Sequence, residues 1–146
     1  MQKKNIIIIP ARGGSKRVKK KNLYPILNKP LLWYSINQAL NASNIYDTFV
    51  SSENDEILNY AKSLKCKVIR RPSTMSTDFS SSEEALIHAV KYIEKKFYKI
   101  DTIMLLQCTS PVRKTKDIDN AVKHFYNEEA DSLVSVISNH RFIWQF

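Results

Sequence analysis

Residues 5–9 read Asn-Ile-Ile-Ile-Ile, a β-branched run with no polar break. A strand with one face in water alternates polar and apolar positions, so an unbroken run signals a strand covered on both faces. Residues 45–51 and 67–70 predict two further strands. Residues 101–107, with Ile-Met-Leu-Leu at their centre, predict a fourth, and residues 132–137 a fifth. Helical spacing fills the intervals. Pro30 is placed to open a helix at its first position, which Leu32, Ile36, Ala39 and Leu40 continue. Ile57, Tyr60, Ala61 and Leu64 form an i, i+3, i+4, i+7 stripe. Ser81 and Glu84 have the spacing of a capping box ahead of Leu86, Ala89, Val90 and Ile93. Thr115 is the expected cap of a helix carrying Ile118, Ala121, Val122 and Phe125.

Strand and helix alternate without an internal repeat or linker. That pattern predicts one α/β domain over residues 1–146, a mostly parallel sheet with helices on both faces. Ligands of such sheets bind beyond the carboxyl ends of the strands. Three segments hold that position: residues 10–22, 51–53 and 107–113.

Composition sharpens the picture at the first of these. The 146 residues contain only two glycines, Gly13 and Gly14, both directly after the first strand. Arg12, Lys16, Arg17, Lys19, Lys20 and Lys21 surround them, within a formal net charge of +9. Such an excess favours an anionic partner. Cys66 and Cys108 match no metal or redox spacing and suit a reducing compartment. No stretch has the length of a membrane span or the layout of a secretory signal, so a cytoplasmic protein is expected.

The segment at residues 10–22 has two readings. One is a tight turn with its lysines in solvent. The other is a phosphate cradle, since glycine permits positive φ and close approach of a ligand to consecutive backbone N–H groups. The spacing matches neither a P-loop nor G-x-G-x-x-G, which argues against a P-loop NTPase and a dinucleotide-binding protein. Residues 107–113, Gln-Cys-Thr-Ser-Pro-Val-Arg, offer hydrogen bonds to a base or sugar and an arginine fork to an anion; the plainer reading is a proline turn. His88 and His124 read as helix-surface residues, and Trp33 as a core residue. For His140, in the terminal loop, nothing supports a substrate contact.

Four blocks in order carry a family resemblance: IIPARGGSKRVKKKNL, KPLLWYSINQAL, RPSTMSTDFSSSEEALIHA and LLQCTSPVR. Together they resemble the N-acylneuraminate cytidylyltransferases, from the first strand to the C-terminus. The resemblance implies a Rossmann-like, three-layer nucleotide-diphospho-sugar transferase fold. It implies CTP and a nine-carbon α-keto acid sugar as substrates, Mg²⁺ as cofactor and a homodimer in the full-length form, with no nucleic acid or membrane partner. Position by position, Arg12, Gly13, Gly14, Ser15 and Lys16 match the phosphate-binding signature, and Lys21 and Asn22 its second half. Arg12 and Lys21 are the implied catalytic residues. Arg71 and Ser82 match cytidine-contacting positions. Gln107, Thr109, Ser110 and Arg113 match the sugar-side block.

The chain departs from the family pattern in four places. Glu53 stands where an aspartate is usual, Cys108 where a proline is common, and Asn28 where a glycine often precedes Lys-Pro. Family members also continue beyond Phe146. By the resemblance, that continuation carries the dimerisation extension, the rest of the sugar pocket and the acidic metal ligands, so the domain is expected to be C-terminally truncated. Phe142, Ile143, Trp144 and Phe146 would then lack a covering partner. Glu53 and Asp78 are the metal candidates that remain, but no ligand set can be assigned. Asp117 and Asp119 read as acids favouring a helix N-terminus. Two alternatives stay open, a deoxyoctulosonate-type cytidylyltransferase and a non-catalytic nucleotide- or nucleic-acid-binding module.

Overall fold

The computed structural model describes residues 2–76 and 80–136. Asp78, Ile137, His140, Phe142, Ile143, Trp144 and Phe146 lie outside them. Strand β1 (Asn5–Pro10) occupies the middle of a four-stranded sheet with β4 (Asp47–Ser52), β5 (Lys67–Arg70) and β6 (Thr102–Leu105), in the order β5-β4-β1-β6. Every pairing in this sheet is parallel, with Ile8 opposite Phe49 on one side and Leu105 on the other.

The isoleucine run explains the layering. Successive side chains of a strand point to opposite faces. Ile7 and Ile9 pack with α1 (Leu31–Leu40), α2 (Asp55–Ser63) and α4 (Thr115–Asn127) through Leu32, Ile36, Ile57, Ala61 and Ile118. Ile6 and Ile8 face the other way, with Phe49, Ile69, Ala89 and Ile93, where α3 (Ser82–Lys96) covers the sheet. All four isoleucines are fully buried.

Helix ends follow local chemistry. Asn54 caps α2, its Oδ1 accepting from the Ile57 N–H at 3.1 Å, and Ser81 caps α3, accepting from the Glu84 N–H at 3.2 Å. Helix α1 begins at Leu31, one residue after Pro30. Helix α4 corrects the expectation for Thr115, which is its first residue rather than its cap. Lys114 is the cap, and its N–H donates to Asp117 Oδ2 at 2.8 Å. The carboxylate reaches back three residues to a donor that would otherwise be unmet. Asp119, expected only to favour the dipole, accepts from the Asn44 N–H at 2.8 Å and ties α4 to the end of α1.

Two further expectations change, and one element is new. The fifth strand does not form among the described residues, and 132–136 make no ladder. Val134 and Val136 are exposed there; β-branched composition needs a neighbouring backbone before it becomes a strand. Trp33 is half-buried, edge-on to Tyr34 with Lys29 Nζ over its ring, because its position on α1 turns away from the sheet. A two-residue hairpin was not anticipated: β2 (Pro25–Ile26) pairs antiparallel with β3 (Lys29–Pro30). Its turn residues Leu27 and Asn28 both have positive φ, the geometry that matches strand twist in a tight hairpin.

Ile8→Ala should lower stability by about 2–5 kcal/mol, the range for emptying a packed core site, read as a fall in the urea midpoint. Val112→Ala, at a side chain 94% exposed, should stay within about 0.5 kcal/mol of the parent.

Candidate functional site

The loop that leaves β1 crosses the carboxyl edge of the sheet between two other loop clusters. On the β4–β5 side stand Glu53, Asn54, Arg71 and Ser76; on the β6 side stands the 107–113 segment.

Gly13 is fixed by its neighbours. A Cβ there would stand 2.7 Å from Asn54 Nδ2 and 2.8 Å from Asn54 Cβ. Asn54 cannot retreat, since the same side chain caps α2. Glycine is therefore demanded by close approach, not by a left-handed backbone, for neither glycine has positive φ. Among the described residues nothing lies within 4 Å of a Cβ added at Gly14. The Gly13 N–H is also occupied. It donates to Glu53 Oε1 at 2.7 Å.

Arg71 anchors the next layer. It is only 5% exposed; its Nε donates to Ser76 Oγ at 2.8 Å, and its Nη2 stands 3.5 Å from Glu53 Oε2. That distance gives charge attraction but not a good hydrogen bond. Burial alone would push the Glu53 carboxyl up. The backbone N–H groups of Gly13 and Glu53, the Ser76 hydroxyl and the Arg71 charge outweigh it, and Glu53 sits below the ordinary glutamate range. For Arg71, burial lowers the pKa, Glu53 opposes that, and the Arg12 charge lowers it further. Arg12 and Arg71 thus share one neighbourhood with Glu53.

Arg12, Arg71 and Ser82 line a cavity of about 260 Å³ together with Pro10, Ser76 and Ser80. Arginines, hydroxyls and an open mouth suit a polar, anionic ligand. His88, taken above for a helix-surface residue, borders a second cavity behind Arg71 and has a buried Nδ1 without a hydrogen-bond partner. The Ser15 hydroxyl is likewise buried without a partner, inside the glycine loop.

The remaining candidates divide by role. Asn22 is buried and its Nδ2 donates to the Arg12 carbonyl at 2.9 Å, which ties the two halves of the loop together. Gly14 and Lys16 are exposed on that loop, and Lys21 is half-buried. Lys21 also lies near the β6 side: burial pushes the Cys108 thiol up to about 11, with Arg113, its own backbone N–H and Lys21 pulling the other way. Cys108 itself packs in the core. Gln107, Thr109 and Ser110 are exposed.

Arg113 is not presented as an open fork. Its Nη1 donates to Ser35 Oγ and Gln38 Oε1, both at 3.1 Å, and its Nη2 to the Gln107 carbonyl at 2.8 Å. Gln38 answers through Nε2, to the Pro111 and Arg113 carbonyls. The arginine holds its own loop against α1. Sequence reasoning missed Gln38, Ser35, Asn54 and Ser76. Each is an ordinary polar residue whose role depends on a partner far away in the chain, and helix periodicity gives only a weak hint, a polar residue on a buried face.

The chain matches the Cytidylyltransferase family over residues 6–142. It belongs to that family. It is 36% identical over 132 residues to a pseudaminic acid cytidylyltransferase of Campylobacter jejuni, covering 89% of this chain and 56% of that protein. It is 34% identical to an N-acylneuraminate cytidylyltransferase of Escherichia coli, covering 97% of this chain and 33% of that one. The chain thus spans about half the length of its Campylobacter relative, and less of the other. Among solved structures it is similar to a CMP:2-keto-3-deoxy-manno-octonic acid synthetase complexed with CTP, with a TM-score of 0.72 at 24% identity, covering 87% of this chain and 49% of that one. It also resembles a 4-diphosphocytidyl-2C-methyl-D-erythritol synthase, with a TM-score of 0.69 at 14% identity and 87% and 56% coverage. At such identities the likeness is one of fold, the Rossmann-like nucleotidyltransferase type.

Two predictions follow from this geometry. Gly13→Ala should destabilise by about 1–3 kcal/mol, as overpacking against a held neighbour does, while Gly14→Ala should leave the melting temperature nearly unchanged. The second concerns pH. Because the folded state holds the Glu53 carboxyl below its ordinary value of 4.5, its contribution is complete above the unfolded value and is lost as pH falls through the folded one. Melting temperature should therefore drop less on acidification below about pH 4.5 in Glu53→Gln than in the parent.

Proposed function

We propose that the chain carries the nucleotide-binding part of a cytidylyltransferase that joins CMP from CTP to a sialic-type, nonulosonic acid and releases diphosphate. The observation that carries this reading is the cavity formed by Arg12, Arg71, Ser76 and Ser82 at the carboxyl end of the sheet, in a chain whose relatives are cytidylyltransferases acting, by name, on sugar acids of this kind. The cytidine would sit in that cavity, with the Ser76, Ser80 and Ser82 hydroxyls offering hydrogen bonds to base and ribose. The phosphate tail would run along the glycine loop toward Lys16 and Lys21.

The chemistry asks little covalent work of the protein. The anomeric hydroxyl attacks the α-phosphorus in line as diphosphate leaves. Negative charge spreads over the phosphate oxygens, and fixed cations stabilise it most when they are already in place. Arg12 lines the cavity wall, and Lys21 stands on a short helical turn (Lys21–Leu23) after the loop, near Cys108. In this reading Lys21 would stand where nucleotide and acceptor meet. Gln107, Thr109 and Ser110 would face the acceptor from backbone that Arg113 and Gln38 fix in place.

Mg²⁺ fits this site in one way. Among the described residues no three His, Cys, Asp or Glu side chains converge, but Glu53 supplies one carboxylate beside the loop with a buried oxygen that takes no hydrogen bond. Mg²⁺ commonly takes one or two carboxylates and completes its shell with phosphate oxygens and water. Glu53 together with the nucleotide's own oxygens would hold the ion, which when bound supplies positive charge to the phosphates. As to compartment, no helix among the described residues is long and apolar enough to cross a membrane, and we retain a cytoplasmic enzyme as the reading.

Isothermal titration decides the nucleotide assignment. CTP with Mg²⁺ should bind and raise the melting temperature, the stabilisation being about 2.7 kcal/mol at roughly 100 times Kd, and poly-anions such as heparin should not reproduce the shift. Equal stabilisation by every polyanion would remove this reading in favour of a general anion-binding module. In a protein with demonstrated transfer activity, Lys21→Ala should lower kcat about 10²-fold or more, the usual loss for one electrostatic stabiliser, with a smaller change in KM for CTP.

A further inference from the structure

We propose that Glu53 is an internal competitor for the loop's anion site: its carboxylate holds the Gly13 N–H, and the phosphate tail of a nucleotide must displace it to bind. The proposal rests on the nucleotide reading above and adds a cost built into that site.

The geometry carries it. Glu53 Oε1 takes the Gly13 N–H at 2.7 Å, and Oε2 faces Arg71 Nη2 at 3.5 Å. A carboxylate and a phosphate present the same chemistry to such groups, anionic oxygens that accept from N–H donors. One N–H cannot serve both. The glycine requirement tightens the point. Asn54 leaves no room for a Cβ at Gly13, so the backbone there is pressed against the residue that follows Glu53, and its N–H is aimed at that carboxylate.

The contact is also releasable. The Glu53 side chain is 18% exposed, so a path to solvent exists. Release would leave the neighbouring structure standing, because Asn54, not Glu53, caps α2 and the Ser52 hydroxyl accepts from the Asn54 N–H. Ala11 stays tied to Ser51 through its backbone N–H. The Arg71 guanidinium keeps its bond to Ser76.

The consequence is a threshold. Every ligand that uses the Gly13 N–H meets the same cost, and every ligand that does not is spared it. A weak anion such as orthophosphate gains little by replacing one oxyanion with another. A polyphosphate brings further oxygens to Arg12, Lys16 and Lys21, positions on the loop that a side chain at Glu53 does not offer. The carboxylate thus keeps the loop closed to small anions and returns to its place when diphosphate leaves.

Calorimetry without divalent cations, in EDTA at neutral pH, tests this with cytidine, orthophosphate, pyrophosphate and CTP. Glu53→Gln keeps the shape and removes the charge. It should bind pyrophosphate and CTP about tenfold more tightly than the parent, the scale of one charge-assisted hydrogen bond, should make orthophosphate binding measurable, and should leave cytidine unchanged. A second readout needs no variant: the Gly13 amide resonance of the wild-type chain should move on adding pyrophosphate and stay in place with cytidine. Unchanged or weaker pyrophosphate binding in Glu53→Gln, or a Gly13 amide indifferent to pyrophosphate that does bind, overturns the proposal and leaves the nucleotide reading intact. If CTP binds neither protein even when Mg²⁺ is restored, the nucleotide reading itself fails and takes this one with it.

Discussion

The burial of β1 on both faces governs this molecule. Four consecutive isoleucines have no contact with water, which on the usual area scale is worth about 1.5–3 kcal/mol each before the costs of ordering. That burial requires parallel neighbours on either side and helices above and below, and it fixes where the strand ends. The glycine loop therefore begins at the carboxyl edge with β4 on one side and β6 on the other. The strand order places it where successive connections run to opposite sides of the sheet, the position at which ligands of such sheets bind.

From that point the site is assembled by contacts between strand ends. Gly13 meets Asn54 and Glu53, which follow β4. Glu53 meets Arg71, which follows β5, and Arg71 meets Ser76. Each link is polar and partly withdrawn from water, so a break with no replacement partner leaves a buried group unmatched. The loop's conformation is thus set by the helix cap at Asn54 as much as by its own residues. The second glycine, with open space around it, is under no such constraint.

Much of the fold was legible because burial on two faces leaves a one-dimensional trace. The β1 run, the α2 stripe and the Ser81 cap can each be read locally, and β5 forms over the very residues 67–70 that the pattern marks. The failures have a common cause. Residues 132–136 have strand composition but make no ladder among the described residues, and composition alone cannot supply a partner. The β2–β3 hairpin has only two residues per strand and turns at Leu27-Asn28 rather than at a glycine, so it leaves no pattern to find. At the candidate site, the importance of Gly13 was legible from its place after the strand. Its reason was not, because the decisive atom belongs to Asn54, forty-one positions away in the chain. Arg113 shows the same limit. An arginine in a turn reads as an anion fork, and only the fold shows it bound to Ser35, Gln38 and the Gln107 carbonyl.

The two halves of the candidate site are built differently. On the glycine-loop side the side chains are themselves engaged: Glu53 accepts from the Gly13 N–H, Arg71 donates to the Ser76 hydroxyl and Asn22 donates to the Arg12 carbonyl. A substitution there disturbs several partners at once. On the other side the backbone is tied down, through Gln38 and Arg113, while the side chains of Gln107, Thr109 and Ser110 point outward and are exposed. Such a segment can exchange side chains without losing its shape. Relatives named for pseudaminic acid and for N-acylneuraminate match this chain across nearly all of its length. A wall of engaged polar side chains thus stands beside a braced segment whose exposed side chains can change without loss of its shape.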